Sequence, residues 1–335
     1  MKIQNSDTNK NIFLIAEIGN NHEGNFILAK KLISLAKKNG ADAVKFQFIT
    51  PEKLINPKGN QKRIKQLNKF SLTWDQIIRL KRYSKKIKII FLCSIFDLDI
   101  LKKNKKKFPA LKVPSGDNNI FEIVDEYLKT KKPILFSTGM MNQKMIDKLI
   151  KKLKNRKNFI KKNFCLMHCV SNYPLEISDS NINSIKNLKD TGLEIGYSDH
   201  AVGIENCLIA ASLGARVIEK HFTISNNFSS FRDHVHSANP KQFNELSKKL
   251  KKINIILGSH KKIITKTEAK NIKSTRRGVY ASKNLIKNKI LKKDDFIFLR
   301  PETNLKIMDI PKILGKKIKK NLYKFDEIKL SSMNK

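Results

Sequence analysis

This sequence has few acidic residues and few arginines. Its 335 residues carry 29 Asp and Glu against 69 Lys and Arg, a formal net charge of +40. Arginine stands only at positions 63, 79, 82, 156, 216, 232, 276, 277 and 300, so lysine supplies nearly all the basic charge. Lysine lacks the planar fork that reads bases and phosphates bidentately, and no zinc-finger or aromatic-basic RNA-binding pattern accompanies it. The lysines are spread with Asn and Ile over the solvent faces, which reads as a compositional bias. No nucleic-acid partner is expected, although such a field attracts anionic substrates. There is no hydrophobic run of membrane-spanning length and no signal peptide at the polar start, residues 1–10; a soluble, cytoplasmic protein without a membrane partner is expected. Four cysteines, Cys93, Cys165, Cys169 and Cys207, read as core thiols in a reducing compartment. The run 165–169 has a metal-site look, but strand alternation turns His168 away from its cysteines. The glycine fingerprint of dinucleotide binding is missing after the first strand.

What the sequence does have is a repeated rhythm of short apolar run, turn and longer helical pattern. Strands are expected at 12–18, 43–47, 87–93, 110–113, 133–137, 164–169, 193–197 and 217–221. Helices are expected at 25–38, 74–85, 120–129, 143–154, 204–213 and 240–257. Continuous apolar strands alternating with amphipathic helices indicate a parallel sheet covered by helices. Eight such units fit an α/β fold of the (β/α)₈ TIM-barrel type, here over 1–258. A linker is expected at 259–272, and a small, mostly β domain with little core of its own at 273–335.

In such a barrel the strand C-termini line one rim, and polar residues gather there. Glu17, Asn20, Asn21 and His22 follow strand one; Lys45 and Gln47 sit on strand two. Strands three to five end at Ser94, at Lys112 and Ser115, and at Ser137 and Thr138. Strand six leads to His168, Ser171, Asn172 and Tyr173, strand seven to Ser198, Asp199 and His200, and strand eight to Glu219 and His221. A lone histidine at a strand end is usually an ordinary polar residue. His200 and His221 close consecutive strands, and two imidazoles facing one pocket suit a divalent metal. Lys45 and Lys112 read as partly buried cations without carboxylate partners, a costly state relieved by an anionic ligand. Glu17 either carries a raised pKa suited to proton transfer or pairs with Lys45.

Together the blocks 16–24, 41–47, 113–117, 137–140, 168–169 with 173–174, 196–200 and 218–222, continued by 274–277 and 300–301, resemble the N-acetylneuraminate (sialic acid) synthase family over nearly the whole chain. The resemblance implies a barrel followed by an antifreeze-like (SAF) domain. It implies a transferase that condenses phosphoenolpyruvate with an N-acylhexosamine such as N-acetylmannosamine, giving a nine-carbon 2-keto acid and phosphate. It makes His200 and His221 ligands of Mn²⁺ or Mg²⁺, which polarises the sugar aldehyde, and Glu219 the holder of a metal-bound water. Lys45, Lys112, Ser94, Ser115, Ser137 and Ser198 resemble the phosphoenolpyruvate cradle, Ser171 a further substrate contact, and Glu17 the general acid/base. Gln47, Tyr173 and Asp233 resemble sugar contacts, and Arg300 one supplied by a second subunit in a domain-swapped homodimer. Departures are Ser94 and Ser171, where Thr and Asn are common, a Lys-rich, shortened segment 51–72, and Arg232 before Asp233, which marks a different acyl-sugar. Legionaminate and other nonulosonate synthases belong to the same family. Two other readings compete: a Schiff-base aldolase-type lyase using Lys45 or Lys112, and a non-catalytic polyanion binder.

Overall fold

The computed structural model describes residues 1–231, 233–259 and 261–333. The chain divides into two compact units, Met1–Gly258 and Ser259–Lys335. The first is built on eight strands: β1 (Phe13–Gly19), β2 (Ala43–Phe48), β3 (Ile90–Ile95), β4 (Leu111–Val113), β5 (Ile134–Ser137), β6 (Phe164–Cys169), β7 (Glu194–Asp199) and β8 (Val217–His221). Their order in the sheet is β3-β2-β1-β8-β7-β6-β5-β4, and all neighbours pair in parallel. The end strands β3 and β4 lie against each other, so the sheet curls into a nearly closed TIM-like barrel.

Parallel neighbours need long crossovers, and the sequence supplies amphipathic helices to make them. In Phe26–Lys38 the buried residues are Ala29, Leu32, Ile33 and Ala36, one stripe at helical spacing, and Asn25 caps the first turn by accepting from the Leu28 amide. Trp74–Lys86 and Pro240–Leu257 start with reciprocal capping boxes, Thr73 with Gln76 and Asn239 with Gln242.

Strand alternation sorts the core into two layers. Outward residues such as Leu14, Ala16 and Ile18 pack under the helices. Inward residues at the strand starts, including Phe13, Ile15, Leu92, Leu135, Met167 and Val217, fill the barrel with an apolar plug joined by Met1 and Ile3. Met1 and Ile3 belong to a short N-terminal hairpin whose terminal amine pairs with Glu194 at 2.9 Å.

Some boundaries differ from expectation for local reasons. The third strand begins at Ile90 because Ile87 caps the preceding helix and Lys88 turns the chain at φ +59°. Gln61–Phe70, Leu98–Asn104 and Ser184–Asp190 are additional helices. Each buries only two residues, too few to impose a clear period.

In the second unit, the stretch expected as a linker carries a helix, Lys266–Thr275, announced by the capping box of Thr265 and Glu268. Strands β9 (Gly278–Ala281) and β10 (Phe296–Leu299) pair antiparallel, with further single bridges such as Leu285 to Leu322. Contrary to the expectation of little core, Val279, Leu285, Leu291, Ile313, Ile318 and Ile328 belong to one buried cluster within this unit. Among the described residues no helix is long and apolar enough to cross a membrane.

Candidate active site

Above the apolar plug the inward positions of the same strands become polar. Glu17 follows Phe13 and Ile15 on β1; Lys45 and Gln47 follow Ala43 on β2; Glu219 and His221 follow Val217 on β8. Ser94, Lys112, Ser137 and Ser198 occupy the matching levels of the other strands, and the following loops add Ser115, Ser171, Tyr173, His200 and Asp233. These residues line one cavity of about 830 Å³. Every barrel residue picked from the sequence as catalytic, substrate-binding or metal-ligating is on this wall. Arg300 belongs to the second unit, just after β10, where it is exposed.

The centre of the cavity is a chain of alternating charges. Lys45 Nζ lies 2.8 Å from Glu17 Oε2 and 3.6 Å from Glu219 Oε1. Lys112 Nζ donates to Glu219 Oε1 at 2.9 Å, and Ser198 Oγ donates to the same oxygen at 2.9 Å. Gln47 Nε2 donates to Glu17 Oε1 at 3.0 Å, and Lys45 reaches Ser94 Oγ at 3.4 Å. The expectation of lysines without carboxylate partners is therefore wrong: each ammonium has a buried counter-charge. Of the two readings of Glu17, pairing with Lys45 is realised, yet burial still raises its pKa, with the Lys45 charge pulling the other way and Glu219 adding to the rise. Burial also works against the charge of Glu219, but Lys112 and Lys45 overcome it and hold this carboxyl down to about 2. Lys45 is opposed by burial too, and Glu17 and Glu219 more than offset it, so its ammonium form is reinforced.

The histidine pair sits on the β7–β8 side. The ring centroids of His200 and His221 are 5.5 Å apart. His200 Nδ1 lies 2.7 Å from the Val170 carbonyl. A carbonyl only accepts, so Nδ1 carries the hydrogen and Nε2 keeps the lone pair, the arrangement found in metal-ligating histidines. Burial pushes the His200 pKa down to about 4. Burial also pushes the His221 pKa well down, with help from His236 and His200. Both rings are therefore neutral, as ligands must be. His221 Nδ1 is buried with no hydrogen-bond partner among the described residues. Among those residues no three His, Cys, Asp or Glu side chains form a metal-holding group. Two neutral imidazoles on one wall are nonetheless donors of the kind a divalent cation takes.

Not every residue expected at the mouth faces it. His168 turns outward from β6, between the Ser180 carbonyl at 2.9 Å and Ser184 Oγ at 3.1 Å. Asn21 is buried against the Phe222 carbonyl and Ser237, and His22 stacks on Phe46. Arg232 lies outside the described residues. Two residues were missed. His236, in the short helix Asp233–His236, has its ring 4.7 Å from His221 and 6.2 Å from His200. Glu23 lines the cavity and accepts from His234 Nε2 at 2.9 Å, while Thr223 Oγ1 meets His234 Nδ1 at 2.6 Å. The alternation His234-x-His236 after the last strand was the available signal.

Two predictions follow from this packing. A Cβ at Gly139 would fall 2.4 Å from both Ser115 Oγ and Ser171 Oγ. Gly139→Ala is expected to displace both hydroxyls from the cavity wall and to weaken binding of a small anion such as inorganic phosphate there about tenfold, read by calorimetric titration. His22 is fully buried, and burial lowers its pKa from 6.5 to about 4. Its contribution to stability is complete above pH 6.5 and is lost as pH falls toward 4, because the unfolded chain takes up the proton first. Urea titrations of the metal-free protein should show stability falling over that window, by on the order of 3 kcal/mol for this one group. The fall should be smaller in His22→Gln.

Residues 32–262 match the model of the NeuB family. The chain is 35% identical over 336 residues to N,N'-diacetyllegionaminic acid synthase of Campylobacter jejuni, spanning 95% of this chain and 99% of that protein. It is 30% identical over 299 residues to N-acetylneuraminate-9-phosphate synthase of Homo sapiens, spanning 84% of this chain and 81% of that one. The crystal structure of N-acetylneuraminic acid (sialic acid) synthetase from Leptospira borgpetersenii, in complex with citrate, is similar with a TM-score of 0.73 and 32% identity, over 79% of this chain and 91% of that one.

Proposed function

The chain belongs to the NeuB family and is a synthase that condenses phosphoenolpyruvate with a hexosamine, and we propose that its barrel mouth divides that work as follows. Lys45 and Lys112, with Ser94, Ser115, Ser137, Ser171 and Ser198, bind the carboxylate and phosphate of phosphoenolpyruvate. The anion competes with Glu17 and Glu219 for the two ammonium groups. As Lys45 turns toward substrate, Glu17 loses part of the charge that opposes its raised pKa, and it moves the proton of the water that attacks C2. Gln47 orients Glu17 and, with Tyr173 and Asp233, contacts the sugar. Glu219 Oε2, buried without a hydrogen-bond partner among the described residues, is the oxygen free to hold a water. His200 and His221 hold a divalent cation, Mn²⁺ or Mg²⁺, which when bound supplies Lewis-acid polarisation of the sugar aldehyde.

The observation that carries this reading is the meeting of two carboxylate-bridged lysines and two neutral imidazoles in one cavity. It also disfavours a Schiff-base lyase, since Lys45 keeps its proton and Lys112 is engaged by Glu219. Incubation with phosphoenolpyruvate, Mn²⁺ and a panel of hexosamines should release phosphate and a 2-keto acid, identified by mass. The panel holds N-acetylmannosamine, its 6-phosphate and a diacylated 6-deoxy hexosamine. Absence of phosphate release with every sugar overturns the assignment.

The same proposal includes a homodimer in which Arg300 of one chain reaches the sugar's N-acyl group in the barrel of the other. Mixing His221→Ala with Arg300→Ala chains, each inactive alone, should then recover about a quarter of wild-type activity, because half the pairs are mixed and each mixed pair has one intact site. No recovery after subunit exchange argues for sites completed within one chain.

A further inference from the structure

Directly behind the two histidines lies an ion pair that the chemistry above does not use. Asp199 and Lys220 are opposite each other in the β7–β8 ladder, and alternation points both away from the cavity. Lys220 Nζ lies 2.7 Å from Asp199 Oδ2, with neither side chain exposed. Asp199 Oδ1 accepts from the Tyr197 hydroxyl at 3.0 Å and from the Ala201 amide at 3.1 Å. Cys207 Sγ approaches Oδ2 at 3.3 Å, and Lys220 Nζ also donates to the Ala201 carbonyl.

A buried ion pair is poor evidence of stabilisation, because an apolar pair of similar volume does as well or better in its place. Here its connections are local and directed. Asp199 precedes His200, Lys220 precedes His221, and between them they hold the amide and the carbonyl of Ala201 on the far side of His200. The pair therefore fixes the peptide groups flanking one imidazole and ties them to the strand end that carries the other. Coordination by two imidazoles tolerates errors of only about 0.2 Å in nitrogen position.

We propose that Asp199 and Lys220 are positioning residues, a brace that sets the spacing of His200 and His221 for a divalent cation. This rests on the metal reading above. The test is Asp199→Leu/Lys220→Met, which removes both charges together, measured by Mn²⁺ titration with EPR detection of free ion and by thermal unfolding of the metal-free protein. The expected result is an unfolding temperature close to wild type with Mn²⁺ affinity weakened about 10- to 100-fold. The Mn²⁺ concentration for half-maximal turnover should rise in step, and KM for phosphoenolpyruvate at saturating Mn²⁺ should hold. Wild-type affinity in the double variant overturns the brace. If the wild-type protein itself binds no Mn²⁺, the metal reading is what fails. Should the double variant not fold, Tyr197→Phe removes only the hydroxyl anchoring Asp199. It is expected to weaken Mn²⁺ binding about fivefold, and unchanged binding overturns the proposal.

Discussion

Lys112→Met is expected to lower kcat/KM for phosphoenolpyruvate about a thousandfold or more. Lys112 is the nearest counter-charge of Glu219, 2.9 Å away, and in the proposed function it is also a cation of the anion cradle. Truncating one member of a buried, hydrogen-bonded charge pair costs about 2–5 kcal/mol, and about 4 kcal/mol corresponds to a thousandfold in rate. The loss is compounded inside the site. With Lys45 left at 3.6 Å, burial again dominates Glu219, and its pKa climbs from about 2 toward and above the ordinary carboxylate value. A depressed carboxylate pKa contributes stability that is complete above the unfolded value of about 4.3 and lost as pH falls toward the folded one. The variant should therefore be less stable at neutral pH, and its stability should fall less steeply than that of the wild type between pH 4.5 and 2, because the Glu219 contribution to that decline is gone while other paired carboxylates such as Glu126 still titrate there. Phosphate-release kinetics together with urea titrations across that range read both effects. Turnover within tenfold of wild type would remove Lys112 from the anion cradle.

The second large effect is expected from His221→Ala. The ring is buried, neutral and beside His200 at 5.5 Å. In the proposed function its removal takes away one of the two imidazoles that would hold the cation. Loss of Lewis-acid assistance worth several kcal/mol implies a drop in kcat of about a thousandfold or more. Mn²⁺ titration should show no binding in the micromolar range, while circular dichroism and the unfolding transition remain cooperative. A variant that retains turnover and its response to Mn²⁺ would remove this histidine from the metal site.

Much of this site was legible because charge inside an apolar run is anomalous. Glu17, Lys45 and Glu219 interrupt strands whose other inward residues are Phe13, Ile15, Ala43 and Val217, and strand order then carries them to one rim. What the residues could not reveal was who pairs with whom. Lys112 on β4 meets Glu219 on β8 across the barrel interior, a relation set by curvature and not by any spacing along the chain. His168 shows the opposite error: at a strand end a shift of one residue exchanges mouth for outer layer, and Cys169 took the inward position. His236 ends a four-residue helix, Asp233–His236, too short for any period to betray its direction. The short helix Gln61–Phe70 was hidden because only Ile64 and Leu67 are buried along it.

The apolar plug at the strand starts has a kinetic consequence. A chamber sealed at its base has one doorway, and its contents leave in the reverse of the order in which they entered. The lysines and Glu17 stand one alternation step above the plug, whereas Asp233 and Glu23 belong to the loops around the opening. If the two substrates sit as proposed, the anion is seated before the sugar closes over it, and sequential, ordered addition is the expected result. An inert hexosamine analogue then blocks the exit of phosphoenolpyruvate already inside. It should slow escape of the labelled compound in an isotope-trapping experiment.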